Sequence, residues 1–357
     1  MIYLVSNNTA FFEHFQIITL EESIAKLETL SEEIGNDTET SGFSCHTKSL
    51  LSIQLGNKDF QIVYDIASYG GIIPKKLKEF MNQYQGIWIL QNAKFDLQFY
   101  YKQGVILKNV YDTMLAEYII TIGLQEDGRD LKTLAWKYCG ASLDKTIRGK
   151  INQVGLTKEV IVYAANDVTY LPEIKRKQLR LIKDRNLENA LKLDNAFVKV
   201  LAYIEYCGIK LDWNKWLIRT EKLLADSNRK KEELEEYLFS HGGSKYKGTI
   251  DMFSGKPECL INWKSAQQVI PLFESFGINC TTKVKGETKK SIEKKVLQFQ
   301  IPNNKLLQLY YDYKESVKQA DTYGYSWKKL INEATGRIHC SYTQIMKTGR
   351  ISSNEPK

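Results

Sequence analysis

The chain has 357 residues, 50 of them Lys or Arg against 42 Asp or Glu, for a formal net charge of +8. That length allows two or three domains with sizeable cores, and an apolar content of 43% excludes a disordered chain. The surplus of positive charge favours a polyanionic partner, nucleic acid before membrane.

In chain order, period-two runs predict strands at Met1–Val5, from Glu32 into Asp37, and at Leu51–Leu55, Gln61–Tyr64 and Ile87–Leu90. Helical periodicity predicts Pro74–Tyr84, Asp96–Gln103, Thr113–Ile120 and Asp130–Tyr138. A mixed sheet flanked by helices, an α/β domain, follows. From about Thr157 the pattern is almost wholly helical, with Pro172 expected to kink the run or end a segment. Trp213–Phe239 reads as one long helix with Trp216, Leu217, Leu224, Leu234 and Leu238 mostly on one side. Polar loops are expected at His241–Pro257 and Asn279–Lys290, and a strand at Arg337–Thr343. Boundaries near 190 and 330 divide the chain into 1–190, 191–330 and 331–357.

The six cysteines (Cys45, Cys139, Cys207, Cys259, Cys280, Cys340) form no CxxC pair, and the four histidines stand apart from them. That speaks against a zinc site and for a reducing, cytoplasmic setting, a host's cytoplasm included. The N-terminal stretch lacks a signal-peptide pattern, and no run approaches the ~20 apolar residues that span a bilayer.

Three stretches concentrate chemistry: Asp37-Thr38-Glu39, Asn92 to Asp96, and Tyr163 to Asp167. Asp37 and Glu39 are two apart, so a strand would turn both to one face, with Asp37 at its carboxyl end. Asn92 and Asp96, like Tyr163 and Asp167, are four apart, so a helix would put each pair on one face. Taken singly, each has a bland reading: a turn leaving a strand, a solvated helix face, a half-buried tyrosine. Taken together, four carboxylates at one site would repel strongly unless hard cations, Mg²⁺ or Mn²⁺, neutralised them. Two such ions roughly 4 Å apart suit phosphodiester hydrolysis.

The stretches IGNDTETSGF, LQNAKFDLQFYY, YDTMLAEYII and VYAANDVTYL resemble the exonuclease motifs of the DEDD superfamily, tyrosine branch, over roughly residues 30–185. The resemblance implies a ribonuclease H-like fold. It implies that Asp37, Glu39 and Asp167 ligate the tighter metal, that Asp37 bridges to the second, and that Asp96 supports that second ion through water. Tyr163 would orient the attacking water and Asn92 would fix the substrate end, with Asp112 as structural support. Phe43 would stack on an unpaired terminal base, a core position being the other reading. Lys145, Arg148 and Lys150, in the loop Leu143–Gly155, could hold the backbone of a 3′ strand.

The second half resembles family A DNA polymerases of the polymerase I type. LDNAFVKVLAYIEYCGIKLD is similar to their linking helix, INWKSAQQVIPLF and TTKVKGETKKSIEKKVL to the thumb, and TGRIHCSYTQIMKTGRISSNEP to the entry into the palm. The resemblance implies duplex contacts from Arg350, Ser352 and Ser353, and phosphate contacts from Lys264, Ser265 and Gln268. Lys314 and Lys318 fall on basic positions of the helix entering the palm, where Ala320 and Asp321 depart from the family's pattern. The polymerising aspartates of that family come later than Lys357, so this chain alone is not expected to polymerise: either it is a fragment, or the gene is split and a second chain completes the palm. Without the rest of the palm, the strand Arg337–Thr343 would be left without its sheet, an exposed edge. The expected reading is thus a proofreading 3′→5′ exonuclease acting on DNA with two divalent cations. The alternatives are a ribonuclease D-like trimmer and an inert DNA-binding module.

Overall fold

The computed structural model describes residues 1–122, 124, 128–144, 151, 155–252, 255–284 and 287–356. The chain divides into two compact units, Met1–Lys210 with Asn332–Lys357, and Leu211–Ile331.

The first unit is built on a seven-stranded sheet. Its strands are β1 (Ile2–Val5), β2 (Gln16–Ile17), β3 (Glu33–Thr40), β4 (Leu50–Gly56), β5 (Gln61–Asp65), β6 (Ile87–Leu90) and β7 (Asn109–Asp112), in the order β2-β1-β5-β4-β3-β6-β7. β4 runs antiparallel to both β3 and β5, and the remaining pairs are parallel. The helices are α1 (Leu20–Glu28), α2 (Lys75–Gln83), α3 (Ala93–Gln103), α4 (Thr113–Thr121), α5 (Leu131–Cys139), α6 (Lys158–Thr169), α7 (Leu171–Asp184) and α8 (Glu188–Cys207). The expected mixed sheet flanked by helices is the fold observed.

Strand alternation sends side chains into two cores. Trp88 and Leu90 of β6, with Ile34 of β3, pack against Leu77, Met81, Leu97 and Val198 on one face. Ile89, between Trp88 and Leu90, joins Ala116, Leu134, Val168 and Ile174 on the other. Each fully buried side chain of this size is worth about 1.5–3 kcal/mol. None of the described helices is long and apolar enough to cross a membrane.

Two punctuation marks act as chemistry requires. Pro172 falls in the first turn of α7, where its missing N–H would have no helical partner, so it separates α6 from α7. Thr19 and Glu22 cap each other's backbone at the start of α1, a helix the periodicity reading passes over.

The boundary expected near 190 falls inside α8. Leu191, Val198 and Ala202 of that helix are buried in the first unit's cores, so the unit runs on to Lys210. The boundary near 330 separates Ile331 from Asn332, but the residues after it rejoin the first unit. The single strand expected at Arg337–Thr343 is two short ones, Arg337–Ile338 and Ser341–Thr343. It is not left without a partner: Ser341–Thr343 pairs with Ser352–Asn354, and Ile338 bridges to Ile209.

The second unit contains α9 (Trp213–Ser240), α10 (Ala266–Ser275) and α11 (Lys305–Thr322) around Leu234, Leu238, Phe273, Leu307 and Tyr310. Only the C-terminal apolar positions of α9 reach this core; Trp216, Leu217 and Leu224 are half-buried. The two polar loops each contain a small antiparallel hairpin, Lys247–Ile250 with Pro257–Cys259 and Thr281–Val284 with Glu287–Lys290. These strands are largely exposed, so they carry no apolar alternation by which a sequence reading could find them.

Candidate active site

Strand β3 carries the first pair of acids past the end of its parallel neighbour. Pairing with β6 stops at Gly35↔Ile89, while pairing with β4 continues to Thr40. Asp37 is therefore mid-strand, not at the strand's end as expected. It still lies where the parallel part of the sheet has stopped and both faces of β3 open to a cleft. A bulge between Glu39 and Thr40 re-aims the chain at the cleft's rim.

Alternation along β3 sorts the chemistry. Asp37 and Glu39 share one half-exposed face, and Asn36 and Thr38 are buried on the other. The face of Asp37 continues back to Gly35, where a Cβ would lie 2.8 Å from the Val168 carbonyl oxygen and 2.8 Å from that of Gly56. Only the absence of a side chain lets α6 come this close, and Asp167 precedes Val168. Carboxylate oxygens of Asp37, Glu39 and Asp167 consequently lie within 4.8 Å of one another. Tyr163, one helical turn before Asp167 and buried beside Ile151 and Val160, opens on the same cleft.

Asp96 approaches from α3, on the opposite face of β3. The Thr38 hydroxyl donates to Asp96 Oδ1 at 2.5 Å. Burial pushes the Asp96 carboxyl up to about 7, the Thr38 hydrogen bond opposing. The Tyr100 hydroxyl donates to Asn36 Oδ1 at 2.5 Å one turn further along the same pair of elements.

Asn92 is not a helical residue facing Asp96. It is the N-cap of α3 in the left-handed conformation, φ 61, which asparagine tolerates better than most side chains. Asp112 holds that turn. Its carboxylate accepts from the N–H groups of Asn92 at 3.1 Å and Ala93 at 2.8 Å, and also from Met114 at 2.8 Å and Leu115 at 3.3 Å at the start of α4. One buried side chain thus caps two helices. Its desolvation pushes the carboxyl up to about 6, those N–H groups pulling the other way.

The resulting cleft, about 370 Å³, is lined by Asp37, Thr38, Glu39, Asn92, Asp96, Tyr163 and Asp167, with Phe43, Gln91, Met114 and Asp130 at its sides. Phe43 is not in the core: it is 88% exposed, edge-on to Phe95 at 6.5 Å. Arg148, Lys145 and Lys150 lie outside the described residues. Gly35 and Thr38 are the site-building residues that the motif reading left unassigned. Alternation along β3 places Thr38 opposite the acids and Gly35 in line with them, but it does not say which helix covers either face.

In the second unit, Ser265 is the N-cap of α10. Gln268 Oε1 accepts from the Asn262 N–H at 2.7 Å, so the N-x-x-S-x-x-Q spacing closes on itself as a helix-entry turn. Lys264 pairs at 3.0 Å with Asp321, the residue that departs from the family's pattern. Lys314 lies over the Tyr310 ring, and Lys318 is exposed. Arg350 is exposed in the first unit, while Ser352 and Ser353 are half-buried in the short ladder with Thr343 and Tyr342.

A family model described as 3′-5′ exonuclease matches residues 14–182, and one described as DNA polymerase family A matches residues 241–357. The DNA polymerase I of Aquifex aeolicus is 25% identical, over 96% of this chain and 57% of its own length. That of Synechocystis sp. is 27% identical, over 96% of this chain and 35% of its own. The chain therefore spans from about a third to somewhat over half of these relatives. Among solved structures, the polymerase domain of Pol1 from M. smegmatis, in complex with DNA primer-template and dNTP, superposes with a TM-score of 0.68 at 18% identity, over 100% of this chain and 55% of that one. The acids gathered on β3, α3 and α6 fall within the first matched stretch and the helical unit largely within the second, so the chain joins a 3′-5′ exonuclease domain to part of a DNA polymerase family A domain.

Proposed function

We propose that this chain removes nucleotides from the 3′ end of a DNA strand by hydrolysing the terminal phosphodiester, releasing nucleoside 5′-monophosphates, as the proofreading part of a family A polymerase. The observation that carries this reading is the convergence of Asp37, Glu39, Asp96, Tyr163 and Asp167, from three separate stretches of sequence, on one cleft. The donor set fits hard divalent cations, because three carboxylates meet within 4.8 Å with neither sulfur nor imidazole among them. Asp37, Glu39 and Asp167 would hold one Mg²⁺ or Mn²⁺, with Asp37 and Asp96 serving a second. Two such ions, when bound, supply an activated water and charge stabilisation at the departing 3′ oxygen.

The chain's own groups do the positioning. The Tyr163 hydroxyl orients the attacking water from the helix that carries Asp167. Thr38 holds Asp96 in place, and Asn92, at the lip, steadies the strand end. Phe43 offers an exposed ring to an unpaired terminal base, a stacking contact worth about 1–3 kcal/mol. In the second unit, read as the thumb, Lys264, Ser265, Gln268, Lys314 and Lys318 would meet backbone phosphates, with Arg350, Ser352 and Ser353 meeting the primer-template duplex from the first.

DNA is favoured as substrate by the polymerase-family match over 241–357. Matched single-stranded DNA and RNA oligonucleotides, digested with Mg²⁺ and resolved by product, test this. The expected outcome is 5′-monophosphates from the 3′ end, with DNA consumed at least about tenfold faster, a difference of about 1.4 kcal/mol in the barrier. Preference for RNA would contradict it.

A further inference from the structure

Residues 332–346 match the polymerase family in sequence, yet they fold into the first unit. The chain leaves that unit after α8 and returns beside its own exit, where the Ile209 and Ile338 backbones exchange hydrogen bonds at 2.8 and 2.9 Å. Gly208 makes the close approach possible: it sits at φ +60, and a Cβ there would lie 2.7 Å from the His339 ring. Past this crossing the returning segment is tied down along its length. His339 Nδ1 donates to the Glu205 carbonyl at 2.7 Å, Gln344 Nε2 to the Asp194 carboxylate at 3.0 Å, and the Tyr118 hydroxyl to the Met346 carbonyl at 2.8 Å.

The Glu205 carboxylate is the hub of this attachment. Its side chain is 6% exposed and pairs with the Lys94 ammonium at 2.5 Å. It also accepts from the Gln98 amide at 2.7 Å and from the Tyr342 backbone N–H at 2.5 Å. Lys94 in turn donates to the Tyr342 carbonyl. Lys94 and Gln98 are four apart on α3, so Glu205 grips the first turns of that helix from outside. Asp96 lies between them in sequence, bonded to Thr38 on the sheet.

We infer that Lys94 and Glu205 are positioning residues of the nuclease site. The segment 339–346 clamps α3 through Glu205 and so fixes where Asp96 stands relative to Asp37, Glu39 and Asp167. Removing the charge of Glu205 leaves the Lys94 ammonium in a poorly hydrated place with no counter-ion, and α3 must shift to rehydrate it. The kinetic consequence rests on the nuclease activity proposed above; the structural consequence does not.

The test uses the full chain with Glu205→Gln, which keeps the shape, and Lys94→Met, which keeps the aliphatic stem. Hydrogen exchange at the amides of residues 93–97 should speed up about tenfold or more in both variants, as local opening becomes easier, with β4 and β5 unchanged. With Mg²⁺ and a single-stranded oligodeoxynucleotide, kcat should fall between about 10- and 100-fold, the scale of a displaced catalytic group, with KM unmoved. The double variant should lose no more than either single one. Wild-type exchange rates on α3 in both variants, or an intact kcat, would overturn the assignment. Should the wild type itself digest nothing, the proposed activity has failed and the exchange measurement alone decides the clamp.

Discussion

Thr38 is the residue that turns two separate acidic stretches into one site. It stands between Asp37 and Glu39 but points the other way, and its hydroxyl is the donor that meets the buried Asp96 carboxylate. Thr38→Val keeps the β-branched shape and removes that donor. Losing a hydrogen bond to a buried charged group costs about 1.5–3 kcal/mol, so 3′ digestion by the variant should fall between about 10- and 100-fold, measured as kcat. Asp37 and Glu39 should be undisturbed, because they lie on the opposite face of β3. An unchanged kcat would mean that Asp96 is placed by the fold without Thr38. The acids and Tyr163 were legible in the sequence because each belongs to a short signature with fixed spacing. Thr38 and Gly35 were not read, because their roles depend on which helix covers each face of β3, and that is a tertiary fact.

Among the elements, α3 matters most to the site, and its start is set by Asp112. A left-handed Asn92 opens the helix, and the Asp112 carboxylate takes up the N–H groups on either side of that turn as well as those beginning α4. Asp112→Ala orphans buried donors at both helix starts, each costing about 1–3 kcal/mol. Stability measured by urea unfolding should drop by at least about 3 kcal/mol, and Asp112→Asn, which retains one acceptor oxygen, by clearly less. Equal losses for the two variants would refute the double-cap account. The expectation that Asp112 is support and not a ligand agrees with this geometry. The sequence alone could not say how it supports, since its partners lie about twenty residues away at Asn92 and Ala93. Asn92 itself was read as helical from its spacing to Asp96, and the left-handed turn that replaces the first helical residue leaves no mark on that spacing.

At the scale of the whole molecule, the sheet, its flanking helices and the helical character of the second half follow from periodicity. What periodicity could not supply is the return of residues 332–346 to the first unit. That path depends on Glu205, Lys94 and His339, polar residues that a pattern reading assigns to solvent. For the same reason α8 was divided near 190, although Val198 and Ala202 lie in the core. All of these levels meet in the proposed function, in which residues from β3, α3 and α6 make one metal-dependent site that shortens DNA from its 3′ end. The most direct measurement is the rate of 3′ digestion of single-stranded DNA by the wild type and by Asp37→Ala, each with Mg²⁺ or Mn²⁺ and again with chelator. The prediction is digestion by the wild type that chelator abolishes, and a loss of at least about 10³-fold in Asp37→Ala, equivalent to about 4 kcal/mol of barrier. Wild type that leaves the 3′ end intact, or Asp37→Ala that digests as fast as wild type, would contradict it.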